Sequence, residues 1–190
     1  MHILLEGDRG CGKSSLILET LGEQIAQAGG FGTVRLFDEE GLVRGYAQVR
    51  ARELHEVNHK YQGRLPNVFL ERTGERAVTH MSVLMDYTLP LLQEPASFYL
   101  LDEIGGAELL LPAWKERLYH MLAGKTPCIG VWKSEDNCWK LRKKNEEFAH
   151  IYQEMRAWIL AQPQIQLLRV TPENREAVRE EIQNWKKHWL

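Results

Sequence analysis

The chain has 190 residues, with 24 Lys and Arg against 26 Asp and Glu and a formal charge of −2 at pH 7. That length suits one domain over residues 1–190 with a sizeable core, and the near-neutral balance carries no strong nucleic-acid signal. No apolar run reaches the ~18 residues of a membrane span, so no membrane partner is expected. No basic leader precedes the first apolar residues. Cys11, Cys128 and Cys138 lack C-x-x-C spacing, so free thiols in a reducing, cytoplasmic setting are expected.

In chain order, Ile3-Leu4-Leu5 reads as a first strand. Residues 7–14, Gly-Asp-Arg-Gly-Cys-Gly-Lys-Ser, fit G-x-x-x-x-G-K-[ST]. Leu16, Ile17, Leu21 and Ile25 then predict a helix over 15–28, ended by Gly29-Gly30. Thr33 to Phe37, Asp38 to Gly41 and Leu42 to Val49 read as strand, turn and strand of a β-hairpin. Residues 50–64 read as part helix, part loop. Val68-Phe69-Leu70 is a short strand, Thr73-Gly74-Glu75 a turn, and Ala77-Val78-Thr79 extended. Ser82 is placed to cap a helix through Gln93, bent or shortened by Pro90. From Phe98 the alternation is regular: strand 98–102, helix 113–123, strand 127–132. A helical face follows with Phe148, Ile151, Tyr152, Met155, Trp158 and Ile159. Strand 165–170 leads into Thr171-Pro172, read as the start of a last helix striped by Val178, Ile182, Trp185 and Trp189. Such alternation predicts a three-layer α/β domain.

Two motifs carry chemistry. Loop glycines let the backbone wrap an anion closely, and the N–H groups of the loop and of the following helix face it. Gly7, Asp8, Arg9, Gly10, Cys11, Gly12, Lys13, Ser14 and Ser15 are therefore the expected nucleotide-binding residues. In such a loop the lysine, Lys13, lies between the β- and γ-phosphates, and the Ser14 hydroxyl is a ligand of Mg²⁺. A chance match in a chain of this size is on the order of one in a hundred. The second motif is Phe98 to Leu101 followed by Asp102 and Glu103. An unbroken apolar run is a strand covered on both faces. Asp102 then emerges at its carboxyl end, where it serves the Mg²⁺ shell, usually through water. Glu103 is placed to orient and polarise the water that attacks the γ-phosphorus. Glu103 and Lys13 are the expected catalytic pair, acting on a nucleoside triphosphate such as ATP or GTP.

Four stretches also carry a family resemblance: the loop Gly7 to Ser15; Gly30-Phe31-Gly32-Thr33 through Arg35 with Gly45-Tyr46; Leu101 to Gly105 with Glu108-Leu109; and Thr171-Pro172-Glu173-Asn174-Arg175. In order and approximate spacing, over nearly the whole chain, they resemble the P-loop nucleoside-triphosphatase family that has thermophilic bacterial and human cancer-related members. The resemblance implies Mg²⁺-dependent hydrolysis to diphosphate and phosphate with broad base tolerance. It also implies a Rossmann-like, mixed and mostly parallel sheet with a β-hairpin after the first helix. Glu103 matches the family's catalytic carboxylate, and Asn174 and Arg175 match a signature that places them at the nucleotide site. Gly106-Ala107 stands where the family has Pro-Met, and the polar stretch from Lys133 to Glu147 is longer than expected.

Rival readings are weaker. His55-Glu56-Val57-Asn58-His59 matches H-E-x-x-H, but lies among polar residues without an apolar helix to bury zinc. Asp102 to Gly105 fits D-x-x-G, yet Val131 to Asp136 lacks the asparagine of a guanine-reading N-K-x-D. Lys140, Arg142, Lys143 and Lys144 suggest either a solvated face or a basic lid that closes over phosphates, as in a small-molecule kinase. A nucleotide-dependent switch that binds a protein partner with little turnover is the non-enzymatic alternative.

Overall fold

The computed structural model describes residues 1–74 and 76–190; the expected turn at Thr73-Gly74-Glu75 therefore ends outside the described residues. The elements are β1 His2–Glu6, α1 Lys13–Leu21, β2 Ala28–Phe37, β3 Val43–Arg50, β4 Val68–Thr73, β5 Arg76–Thr79, α2 Met81–Val83, α3 Leu89–Leu91, β6 Phe98–Ile104, α4 Pro112–Ala123, β7 Cys128–Trp132, α5 Glu135–Lys144, α6 Glu146–Ala161, β8 Ile165–Arg169 and α7 Arg175–Trp189. One eight-stranded sheet runs β5-β4-β3-β2-β6-β7-β1-β8. Pairs from β2 through β8 are parallel, and β2-β3, β3-β4 and β4-β5 are antiparallel. The expected α/β architecture, mixed sheet and hairpin are all present.

The period-2 alternation of strands divides the core between two faces. Leu4 and Leu101 point to the side covered by α4, α6 and the 81–91 segment, with Trp114, Leu118, Phe148, Tyr152 and Met155. Ile3, Leu5, Phe98 and Leu100 point to the side covered by α1 and α7, with Leu16, Ile17, Ile182 and Trp185. A smaller cluster of Val34, Leu36, Ala47, Val49 and Val68 holds the antiparallel wing together. No described helix is long and apolar enough to cross a membrane.

Several boundaries differ from expectation. The first helix stops at Leu21, because Gly22 takes φ 57 and returns its N–H to Leu18 O. A 3₁₀ turn, Gly22–Gln27, follows. Gly29 and Gly30 do not stop a helix; they lie in β2, paired with Tyr99 and Leu100 of β6. A Cβ on Gly30 would lie 2.2 Å from Leu100 O, at a φ of +81°. The segment after Ser82 is broken by a π turn at Leu84–Thr88, followed by α3. Pro90 has no N–H to return to that turn. The last helix starts at Arg175 rather than Pro172, with Asn174 as its N-cap residue. The polar stretch 133–147 contains α5 and the start of α6, so it is largely helix.

Candidate nucleotide site

The loop between β1 and α1 lies at the carboxyl edge of the parallel strands, where open α/β sheets bind ligands. Its carbonyls are held by side-chain donors. The buried Lys13 ammonium donates to Gly7 O at 3.0 Å and Asp8 O at 2.8 Å, with Cys11 Sγ at 3.6 Å. Gly7 O also accepts from Asn137 Nδ2 at 2.9 Å and Ser134 Oγ at 3.4 Å. On the other side Arg175 Nη1 donates to Cys11 O and Gly12 O, both at 3.1 Å. Gly12 is required there: at φ +81°, a Cβ would lie 2.5 Å from that guanidinium nitrogen. The N–H groups of Lys13 and Ser14 head α1, where no intrahelical carbonyl can take them. Carbonyls occupied by side-chain donors and free helix-end N–H groups make an anion cradle. Asp8, Arg9, Gly10 and Ser15 are exposed, and the Arg9 guanidinium donates to the Tyr46 hydroxyl on β3.

The acidic end of β6 meets this loop. Ser14 Oγ donates to Asp102 Oδ1 at 2.9 Å. Asp102 is buried, and burial pushes its pKa up to about 7; Glu103 adds to the rise, while the Ser14 hydroxyl, Lys13 and the Thr33 N–H oppose it. Among the described residues no cation lies within 4.0 Å of Asp102. A buried carboxylate without a counterion, facing a hydroxyl, is a pair of hard oxygen donors that fits a divalent cation such as Mg²⁺.

Glu103 is set apart by a bulge. Asp102 pairs with Val131 and Ile104 with Trp132, so Glu103 is the extra residue opposite β7. Bulges re-aim side chains in this way. Glu103 Oε2 lies 3.4 Å from Lys133 Nζ, just past β7. Burial works against the Lys133 charge, but Glu103 and Glu108 outweigh it and raise its pKa. Glu108 is itself buried, and Oε1 accepts from Gly105 N at 2.6 Å and Gly106 N at 2.7 Å. Burial raises its pKa despite these donors. Trp132, fully buried, packs its ring against Gly105, where a Cβ would lie 3.2 Å away. Its indole N–H donates to Tyr152 OH at 3.1 Å.

Lys13, Ser14, Asp102 and Glu103 are thus gathered at one sheet edge. Asn174 closes the β8–α7 turn: its Oδ1 accepts from Thr171 N at 2.8 Å, and its Nδ2 donates to Arg169 O at 2.8 Å. Arg175, next to it, braces the loop from outside. His55 and His59 do not share a helix, since the 3₁₀ turn ends at Glu56 and His59 Nδ1 lies 3.0 Å from Arg35 O. Arg142, Lys143 and Lys144 sit in the last turn of α5, with Lys140 a turn earlier, while the other end of that helix touches Gly7 O. Sequence reasoning passed over Lys133, Asn137 and Ser134. Only their place just past the β7 strand, at the expected site edge, pointed to them.

A family model described as NTPase matches residues 2–183. No curated protein matches the chain. The fold is similar to that of THEP1 from the hyperthermophile Aquifex aeolicus, with a TM-score of 0.63 and 18% identity over 97% of this chain and 98% of that one. It is also similar to a human cancer-related nucleoside triphosphatase, with a TM-score of 0.61 and 19% identity over 98% of this chain and 97% of that one.

Proposed function

The chain belongs to the NTPase family, and from that premise we propose that it hydrolyses nucleoside triphosphates, ATP and GTP among them, to diphosphate and phosphate in the cytoplasm with Mg²⁺. The observation that carries this reading is the Ser14–Asp102 hydrogen bond, which ties the phosphate loop to the strand end bearing Glu103. Ser14 and Asp102 would hold Mg²⁺, which when bound neutralises charge on the β- and γ-phosphate oxygens.

The loop N–H groups from Asp8 to Ser15 bind the phosphates. The Lys13 ammonium exchanges its carbonyl partners, Gly7 O and Asp8 O, for phosphate oxygens, where it faces charge growing on the β–γ bridging oxygen. Glu103 orients a water and accepts its proton as the water oxygen bonds to the γ-phosphorus and the bridging oxygen leaves with the diphosphate. Arg175 serves the nucleotide through the shape of the loop it braces, and Asn174 by tying the turn from which Arg175 starts α7. Positioning and electrostatic stabilisation supply most of the acceleration.

Phosphate release measured over the common nucleotides, with Mg²⁺ and with chelator, tests the reading. Glu103→Gln is expected to keep triphosphate affinity within about threefold while turnover falls on the order of 100-fold or more, since an amide accepts no proton. Turnover at the parent rate in Glu103→Gln would remove Glu103 from the mechanism. No Mg²⁺-dependent release from any nucleotide would overturn the function.

A further inference from the structure

We propose that Lys133 is the positioning residue for Glu103 and also reads the γ-phosphate, so that the site distinguishes nucleoside triphosphates from diphosphates. This rests on the hydrolase reading above. A carboxylate that places the attacking water lies one water from the γ-phosphorus, and its ion-pair partner sits beside it on a segment whose next residue, Ser134, reaches the loop at Gly7 O. Lys133 is that partner: its Nζ is 3.4 Å from Glu103 Oε2, and among the described residues no other cation comes within ion-pair distance of Glu103. Without a cation between them, Glu103 and an incoming γ-phosphate repel each other at short range, in a partly desolvated place where Coulomb forces are strong.

The surroundings fix the lysine backbone and leave its ammonium room. Lys133 N donates to Ile104 O at 2.8 Å, and Lys133 O accepts from Tyr152 OH at 2.8 Å. Its ammonium lies over Gly106, where a Cβ would come within 3.2 Å of Nζ and 2.9 Å of Glu108 Oε2. Glu108 contributes a second negative charge nearby but keeps Oε1 for the Gly105 and Gly106 N–H groups. An ammonium has three donors, and this one has a single ion-pair contact within 4.0 Å. The remaining donors match the terminal oxygens of a γ-phosphoryl group, which a diphosphate lacks.

The test compares Lys133→Met, Lys133→Gln and Lys133→Arg with the parent, using a non-hydrolysable triphosphate and the matching diphosphate as probes, both with Mg²⁺. In Lys133→Met, triphosphate affinity is expected to fall about tenfold, the loss of one charge-assisted contact, with diphosphate affinity held within about twofold. The same variant lowers kcat far more than it raises KM, and Lys133→Arg recovers part of both losses. Lys133→Gln supplies the same affinity ratio should the methionine variant fail to fold. An unchanged triphosphate-to-diphosphate ratio, or equal loss for both nucleotides, would overturn the proposal. A parent that prefers triphosphate, loses that preference in Lys133→Met and yet releases no phosphate would uphold the lysine's role and overturn hydrolysis instead. A parent that binds no triphosphate would overturn both.

Discussion

Lys13, Ser14 and Glu103 are the side chains expected to meet the nucleotide, and Arg175 holds the loop expected to receive it. Its guanidinium donates to Cys11 O and Gly12 O from 163 or more residues away, with Glu19 Oε2 3.6 Å from its other end. Arg175→Ala frees both carbonyls to turn inward, toward the phosphate side. Nucleotide affinity is expected to drop about tenfold in this variant, measured by calorimetry, while the fold persists, since hydrogen bonds to charged groups contribute roughly 1.5–3 kcal/mol each before solvent screening. Lysine is a poor substitute because one compact ammonium cannot hold both carbonyls and face Glu19 at once, as the two ends of the planar guanidinium do. The loop motif was legible in the sequence because its chemistry is local. The brace was visible only as a family signature, because a contact spanning nearly the whole chain leaves no periodic mark. Lys133 is hidden for the same reason: it lies thirty residues from Glu103, and a lysine after a strand looks like any solvated end.

At the level of elements, strands β1, β6 and β7 were legible because burial on both faces writes an unbroken apolar run. The Gly29-Gly30 pair was misread because glycine suits both a helix stop and a close backbone approach, and the β6 partner that decides between them is about seventy residues away. Gly30→Ala puts a Cβ 2.2 Å from Leu100 O at a φ of +81°, a clash with backbone rather than with a pliable side-chain tip. A loss of at least about 2 kcal/mol in chemical denaturation is expected, from the left-handed conformation and the forced separation of two central strands. The start of α7 was misplaced because Thr171-Pro172 carries the usual start signal, whereas the actual turn is tied two residues later by the Asn174 side chain. Helix α5 escaped notice because its polar sequence offers little apolar stripe beyond Cys138. Its cap and charge pattern do fit a helix, with Glu135 and Asp136 in the first turn and Arg142, Lys143 and Lys144 in the last.

Across the molecule, the two faces of the sheet close on a core that also buries His2, at 0% exposure. Its Nε2 lies 3.3 Å from Gly124 O, while Nδ1 is buried without a partner. Burial, reinforced by the neighbouring N-terminal charge and opposed by Gly124 O, lowers its pKa from 6.5 to about 4. Between these values the unfolded chain takes a proton that the folded chain refuses, so stability rises with pH through this window and is lost on acidification. The total is on the order of 3 kcal/mol. Denaturation of the parent and of His2→Asn at several pH values should show the parent losing that much more between pH 6.5 and 4; parallel curves would discard the assignment. Trp132 lies in the same core, with its indole between Gly105, next to the bulged acidic strand end, and Tyr152, which holds the Lys133 carbonyl. That arrangement makes the indole a built-in optical gauge of the sheet edge that carries Glu103. Any shift of Gly105 or Lys133 alters the local field around a chromophore shielded from solvent. With the exposed Trp139 and Trp189, at 52% and 38%, replaced by Phe to remove their quenchable background, nucleotide entry should move the emission of the unlabelled protein, and stopped-flow mixing would time loop filling apart from phosphate release.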